Sequence, residues 1–173
     1  MQTNEIVKML DETTAGFSHT LAQFEPEQVN TVPFEGSWTA GQVVEHILKS
    51  ETGLPDVLMG KTADTKRAAD EKVPMIEGIF LDFSTKLQSP DFIIPSDGPH
   101  DQKTLLQAFQ KERHEVTKLA ATEDLTLTCT SFPLPQMGEL TRLEWLIFII
   151  SHSKRHTHQL QNILKKVNEK VAG

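Results

Sequence analysis

Several common functional signals are missing from this sequence. One cysteine, Cys129, among 173 residues leaves no partner for an intrachain disulfide. No apolar run approaches the roughly 18–20 residues of a membrane span. The longest, Leu143 to Ile150, is broken by Glu144 and followed by polar residues. Positive charge is scarce: 17 Lys and Arg against 24 Asp and Glu give a formal net charge of -7. With no basic cluster either, nucleic acid is not expected as a main partner. The opening stretch Met1 to Glu5 has no positive region leading into an apolar segment, so no secretory signal is evident and a cytoplasmic location is expected. Internal repeats and low-complexity tracts are lacking too.

What is present is helical periodicity. From about Glu5 to Phe24, the residues Ile6, Met9, Leu10, Thr13, Phe17, Leu21 and Phe24 recur at threes and fours, predicting one amphipathic helix. Thr39 and Gln42 have capping-box spacing, so a second helix should begin there, with Val43, His46, Ile47, Ser50 and Leu54 on one face. Gly53-Leu54-Pro55 should weaken or kink it. A third helix is expected from about Asp101 to Ala121, with Leu105, Leu106, Phe109, Glu112, Val116 and Leu119 as its stripe. The fourth, from about Leu140 to Val171, opens on the capping box Thr141-Arg142-Leu143-Glu144 and should span roughly 45 Å.

Between the second and third helices lies a long, irregular crossover over residues 60 to 100. Met75 to Phe83 could form a short helix across the bundle there, and Asp97-Gly98-Pro99 reads as a turn. Thr122 to Gly138 alternates Leu125, Leu127 and Cys129 with threonines and could be extended or hairpin-like. One all-α domain over residues 1 to 173 is expected, built as a four-helix bundle with one long crossover.

Three of the seven histidines fall on the inward stripes. On helix four, Trp145, Ile149, His152, His156, Gln159, Ile163 and Val167 follow one another at threes and fours. His152 and His156 therefore face inward, about 6 Å apart along the axis, as two ligands for one ion must. On helix two the same argument turns His46 inward, and a histidine from a facing helix would complete a tripod. A single inward histidine is more often a hydrogen-bonded core residue. A pair one turn apart shifts that balance, because two unpaired imidazoles pay for desolvation twice.

The other candidates carry less. His158 lies about 200° around helix four from His156 and should face solvent or a subunit partner. His19, His100 and His114 have no partner at ligand spacing and are expected in solvent, although His100 is placed to reach an opening. Cys129 reads as a small apolar filler rather than a nucleophile. Glu144 is explained by its capping box, and Glu45 faces away from His46, in solvent or behind the ligands. Trp38 and Trp145 are expected to pack near the histidine-bearing helices.

At these residues the chain resembles the DinB/YfiT-like superfamily. Ser37-Trp38-Thr39, followed seven residues later by His46, is similar to the family's opening of helix two. Gly138 to Leu146, leading to His152, His156 and Gln159, is similar to its helix-four signature. The resemblance covers essentially the whole chain in helix order and length. It implies an up-down-down-up bundle with a divalent metal, commonly nickel or zinc, held by His46, His152 and His156. The family pattern often has a second histidine before the last ligand and a small residue before the Gln. Here those positions are Arg155 and His158, which puts the departure on the substrate side of the site.

Some relatives resemble thiol transferases using bacillithiol, mycothiol or glutathione, and others an isomerase acting on a thiol adduct. Dimers are common among them. The expectation is thus a metal-dependent enzyme, a hydrolase or thiol S-transferase, that activates water or a low-molecular-weight thiol against a small-molecule substrate, as a homodimer. The alternative is a non-catalytic helical-bundle binding or structural protein with a vestigial metal site.

Overall fold

The computed structural model describes residues 1 to 171. Four long helices carry the fold: α1 (Thr3–Ala22), α2 (Ala40–Glu51), α5 (Gln102–Thr122) and α6 (Arg142–Val171). Two short ones, α3 (Leu54–Met59) and α4 (Val73–Phe80), lie in the crossover. Among the described residues, no helix is long and apolar enough to cross a membrane.

Contacts at the helix ends fix the directions. Gln102, opening α5, donates to the carbonyls of Leu21 and Phe24 at the far end of α1, both at 2.8 Å. Gln28 donates to Asn168 near the end of α6 at 2.8 Å. The start of α2 lies at this same end, where Gly41 packs on His100. Therefore α1 and α6 run one way and α2 and α5 the other, which is the up-down-down-up order. At the opposite end β1 (Thr62–Ala63) and β2 (Thr128–Cys129) pair antiparallel.

Capping places two of the starts where the sequence does. The Thr39 hydroxyl accepts from Gln42 N at 3.2 Å while Gln42 Oε1 accepts from Thr39 N at 3.0 Å. Thr141 and Glu144 are reciprocal in the same way, at 3.1 and 3.0 Å. One boundary and one buried stripe differ from expectation. Gly53, at φ 88°, takes a left-handed conformation that ends α2 at Glu51, so Leu54 begins a separate helix. The buried stripe of α5 is Phe109, Arg113, Val116 and Ala120, so Arg113 rather than Glu112 turns inward.

The apolar core forms two clusters. One gathers Ile6, Leu10, Leu54, Val116 and Ile150, and the other Phe17, Ile47, Phe109, Leu160 and Ile163. On every long helix the residues between the clusters are polar yet buried: Thr13 on α1, Glu51 on α2, Arg113 on α5, and Ser151 to Ser153 with His156 on α6. A polar layer thus crosses the bundle at mid-height. Buried groups of this kind persist only when paired, which directs attention to their partners.

Candidate metal centre

The first partnership in the layer is between Glu51 and Arg113, each 1% exposed. Arg113 Nε and Nη2 donate to the two carboxylate oxygens at 2.7 and 2.6 Å. Nη2 also reaches the Ser153 hydroxyl, and the guanidinium lies 5.1 Å over the Phe109 ring. The pair ties α2, α5 and α6 together beside the histidines.

His46, His152 and His156 converge, as the periodicity requires. His152 Nε2 lies 3.1 Å from His46 Nε2 and 3.0 Å from His156 Nε2. The three side chains can hold a metal ion, with ligand atoms all within 4.8 Å of one another. The outer nitrogens are engaged elsewhere. His46 Nδ1–H donates to the Ile93 carbonyl at 3.0 Å, and His156 Nδ1–H to Gln159 Oε1 at 2.7 Å. Those bonds put the protons on Nδ1 and leave two Nε2 lone pairs facing His152.

Burial keeps all three rings neutral. It pushes His156 down to about 3, with His46 and Arg155 adding to the effect and Gln159 opposing it. His152 lies well below the ordinary histidine range, through burial first and then the neighbouring His156, His46, Arg113 and Arg155. His46 is lowered by burial against the opposing bond to Ile93.

A divalent cation fits this donor set. With His46 and His156 protonated at Nδ1, one proton on His152 cannot satisfy both ends of that ring. On Nε2 it is shared between two acceptors; on Nδ1 it points into a buried position with no hydrogen-bond partner. The Nε2 atoms of His46 and His156, at 3.1 and 3.0 Å from that of His152, also match nitrogens at about 2.1 Å from one ion at roughly right angles to His152.

Aromatic rings close the surroundings. Trp38 lies 5.0 Å from the His46 ring, Phe80 lies 5.5 Å from His152, and Phe148 stacks on His152 at 5.6 Å. Trp145 packs on Phe148 at 5.7 Å and so reaches the site indirectly. The ligands themselves are only 2–7% exposed.

The crossover passes over this cluster, gripped from both sides. Arg155 on α6 donates to the carbonyls of Asp82, at 2.8 Å, and Thr85. Glu45 on α2 accepts from the Ser96 backbone at 2.8 Å and from His100 Nε2 at 2.7 Å. His100 is therefore not in solvent as expected: its side chain is 7% exposed. The His100, Ser96 and Lys49 bonds outweigh burial and hold the Glu45 carboxyl at about 2.

The remaining candidates lie elsewhere. His158 stacks on Phe83 at 4.5 Å, beside a groove of about 390 Å³ between α1 and α6 that also borders Met9, Thr13 and Lys154 but not the three histidines. His19 and His114 are exposed. Glu144, besides its cap, accepts two hydrogen bonds from Arg67 Nη1 and Nη2, at 2.5 and 2.6 Å. Cys129 is fully buried, and burial pushes its thiol up, as suits a filler. Sequence reasoning missed Arg113 and Arg67, since an arginine in a helix or loop ordinarily signals surface; it marked Arg155 only as a departure on the substrate side and missed its bonds to the crossover.

Comparisons with known proteins agree with this architecture. Over 82% of its length the chain is 24% identical to "Uncharacterized protein YuaE" of Bacillus subtilis (strain 168), covering 86% of that protein. Among solved structures it superposes on YfiT from Bacillus subtilis with a TM-score of 0.63 at 16% identity, covering 96% of this chain and 88% of that one. YfiT is described as "a probable metal-dependent hydrolase with an unusual four-helix bundle topology". It also superposes on TT2238, "a four-helix bundle protein", with a TM-score of 0.59 at 21% identity, over 93% and 99% of the two chains. The family model of the DinB superfamily matches residues 9–160, and the chain belongs to that superfamily.

Proposed function

We propose that the protein is a metal-dependent enzyme in which His46, His152 and His156 hold one divalent ion, nickel or zinc. The carrying observation is that His152 Nε2 lies 3.1 and 3.0 Å from the Nε2 atoms of His46 and His156, whose outer Nδ1–H groups are already engaged. A divalent ion there supplies Lewis acidity, lowering the pKa of water or a thiol at its open positions.

The chain's own residues do the rest. The Ile93 carbonyl and Gln159 fix the tautomers of His46 and His156 and aim their Nε2 atoms. Trp38, Phe80 and Phe148 exclude water and lower the local dielectric, so charge at the centre is felt more strongly. Cys129 is buried with a raised thiol pKa, so the nucleophile comes from outside, as water in a hydrolase or as a low-molecular-weight thiol in an S-transferase. The description of YfiT supports the hydrolytic branch.

One observation favours a non-catalytic metal site: the ligands are nearly closed to solvent, as structural sites are. Metal analysis of purified protein and of a His152→Ala/His156→Ala variant, with hydrolytic and thiol-adduct assays on both, separates the readings. The enzyme reading expects one ion per chain and a metal-dependent turnover, both lost in the variant. Equal metal content in the two proteins sinks the metal site. Metal without turnover above background leaves the structural reading.

A further inference from the structure

Gln42, Glu45, His46 and Lys49 share one face of α2 at spacings of three and four. Each bonds to the crossover between Ile93 and His100. Gln42 Nε2 donates to the Ser96 carbonyl at 3.1 Å, Lys49 Nζ to the Ile94 carbonyl at 2.8 Å, and His46 Nδ1 to the Ile93 carbonyl at 3.0 Å. Glu45 gathers the most. Its Oε2 accepts from Ser96 N and Ser96 Oγ, both at 2.8 Å, and from His100 Nε2 at 2.7 Å, while Oε1 pairs with Lys49 at 3.0 Å.

Asn30 holds the far end of the segment, donating to the His100 carbonyl and accepting from His100 N, both at 2.8 Å, while Ile93, Ile94 and Ser96 are held from α2. The segment's regular structure ends with one 3₁₀ turn at Ile93, and Phe92, Ile94 and 96–99 are exposed, with Pro95 buried. The position of the Ile93 carbonyl therefore depends on the bonds from α2. Three of those bonds meet at one carboxylate oxygen.

We propose that Glu45 is a positioning residue for the metal centre: by clamping Ser96 and His100 it fixes the Ile93 carbonyl that holds His46 Nδ1–H and aims Nε2 at the other two histidines. This rests on reading the triad as a metal site. Glu45 touches none of the ligands' Nε2 atoms and acts only through the crossover. Of the groups it releases, Ser96 lies at the surface, where water replaces the carboxylate, whereas His100 is largely buried and loses a ring partner; the inward residues Val43, Val44 and Ile47 are untouched.

The test uses apoprotein and Co²⁺ as the probe. ¹⁵N imidazole spectra of the apoprotein, assigned against His46→Ala, should show His46 protonated on Nδ1 in the wild type and a mixture of tautomers in Glu45→Ala. Co²⁺ affinity should fall roughly tenfold in Glu45→Ala and about threefold in Glu45→Gln, whose amide oxygen still accepts one bond from Ser96. A merely structural role would lower the unfolding midpoint and leave tautomer and affinity unchanged, which overturns the proposal. If Glu45→Ala does not fold, Glu45→Gln carries the same test, and wild-type affinity and tautomer in it overturn the proposal. Failure of the wild type to bind Co²⁺ through the triad removes the metal reading itself. Wild-type binding matched by Glu45→Ala removes only the role of Glu45.

Discussion

Arg113 closes on Glu51 with two nitrogens on two oxygens, inside a bundle where both residues are 1% exposed. A buried pair of this kind adds little net stability but is costly to break, because the survivor is a lone buried charge. Arg113→Met should therefore destabilise by about 3–5 kcal/mol, and Glu51→Leu similarly. The double variant Glu51→Leu/Arg113→Met should recover most of that loss. Urea denaturation of the four proteins checks it, and a double variant as unstable as the sum of the singles contradicts the account.

Metal should stabilise the fold by binding the folded state alone. At about a hundredfold excess over the dissociation constant the gain is about 2.7 kcal/mol. In a domain of this size that raises Tm by roughly 5–10 °C. Chelator-treated protein titrated with Zn²⁺ or Ni²⁺ should show the rise, and His46→Ala should not. A rise of the same size in both would place the ion elsewhere.

The neutral histidines make a pH dependence with a definite sign. In the unfolded chain each titrates near about 6.5, whereas His156 in the fold titrates at about 3 and His46 and His152 are also lowered. Their contribution is complete above about pH 6.5 and declines as pH falls, since the unfolded chain then binds more protons. The slope is up to about 1.4 kcal/mol per pH unit for each histidine. Apoprotein stability measured between pH 7.5 and 5.5, above the carboxylate range, should fall on the acid side. His156→Leu should make that slope shallower, and an unchanged slope would contradict the burial argument.

How far the sequence reaches is clear from particular residues. The inward turn of His46, His152 and His156 was legible because helical periodicity is local, and two of the helix starts because a capping box spans four residues. The short helix α4 was also within reach. The partnerships were not. Glu51 finds Arg113 across 62 residues and Arg67 finds Glu144 across 77, and nothing local marks an arginine that turns inward. The pairing of β1 with β2 depends on contacts of the same range. The burial of His100 is hidden from the sequence for the same reason, since it depends on Glu45, Gly41 and a crossover without periodicity.

Gly41 offers the last check, because two effects of opposite sign meet there. Replacing a helical glycine with alanine ordinarily gains about 1 kcal/mol. Here the added Cβ would lie 2.5 Å from His100 Cβ and 2.7 Å from Cγ, closer than packed carbons approach. His100 cannot simply move, as Glu45 holds its ring and Asn30 accepts its backbone N–H at 2.8 Å. The overlap should win, so Gly41→Ala should destabilise by about 1–3 kcal/mol. Because the nearest atom is Cβ, His100→Ala should not relieve the clash, whereas His100→Gly should. Thermal unfolding of Gly41→Ala in the wild-type, His100→Ala and His100→Gly backgrounds reads this directly. A stabilising Gly41→Ala in the wild-type background would show that the crossover yields at His100.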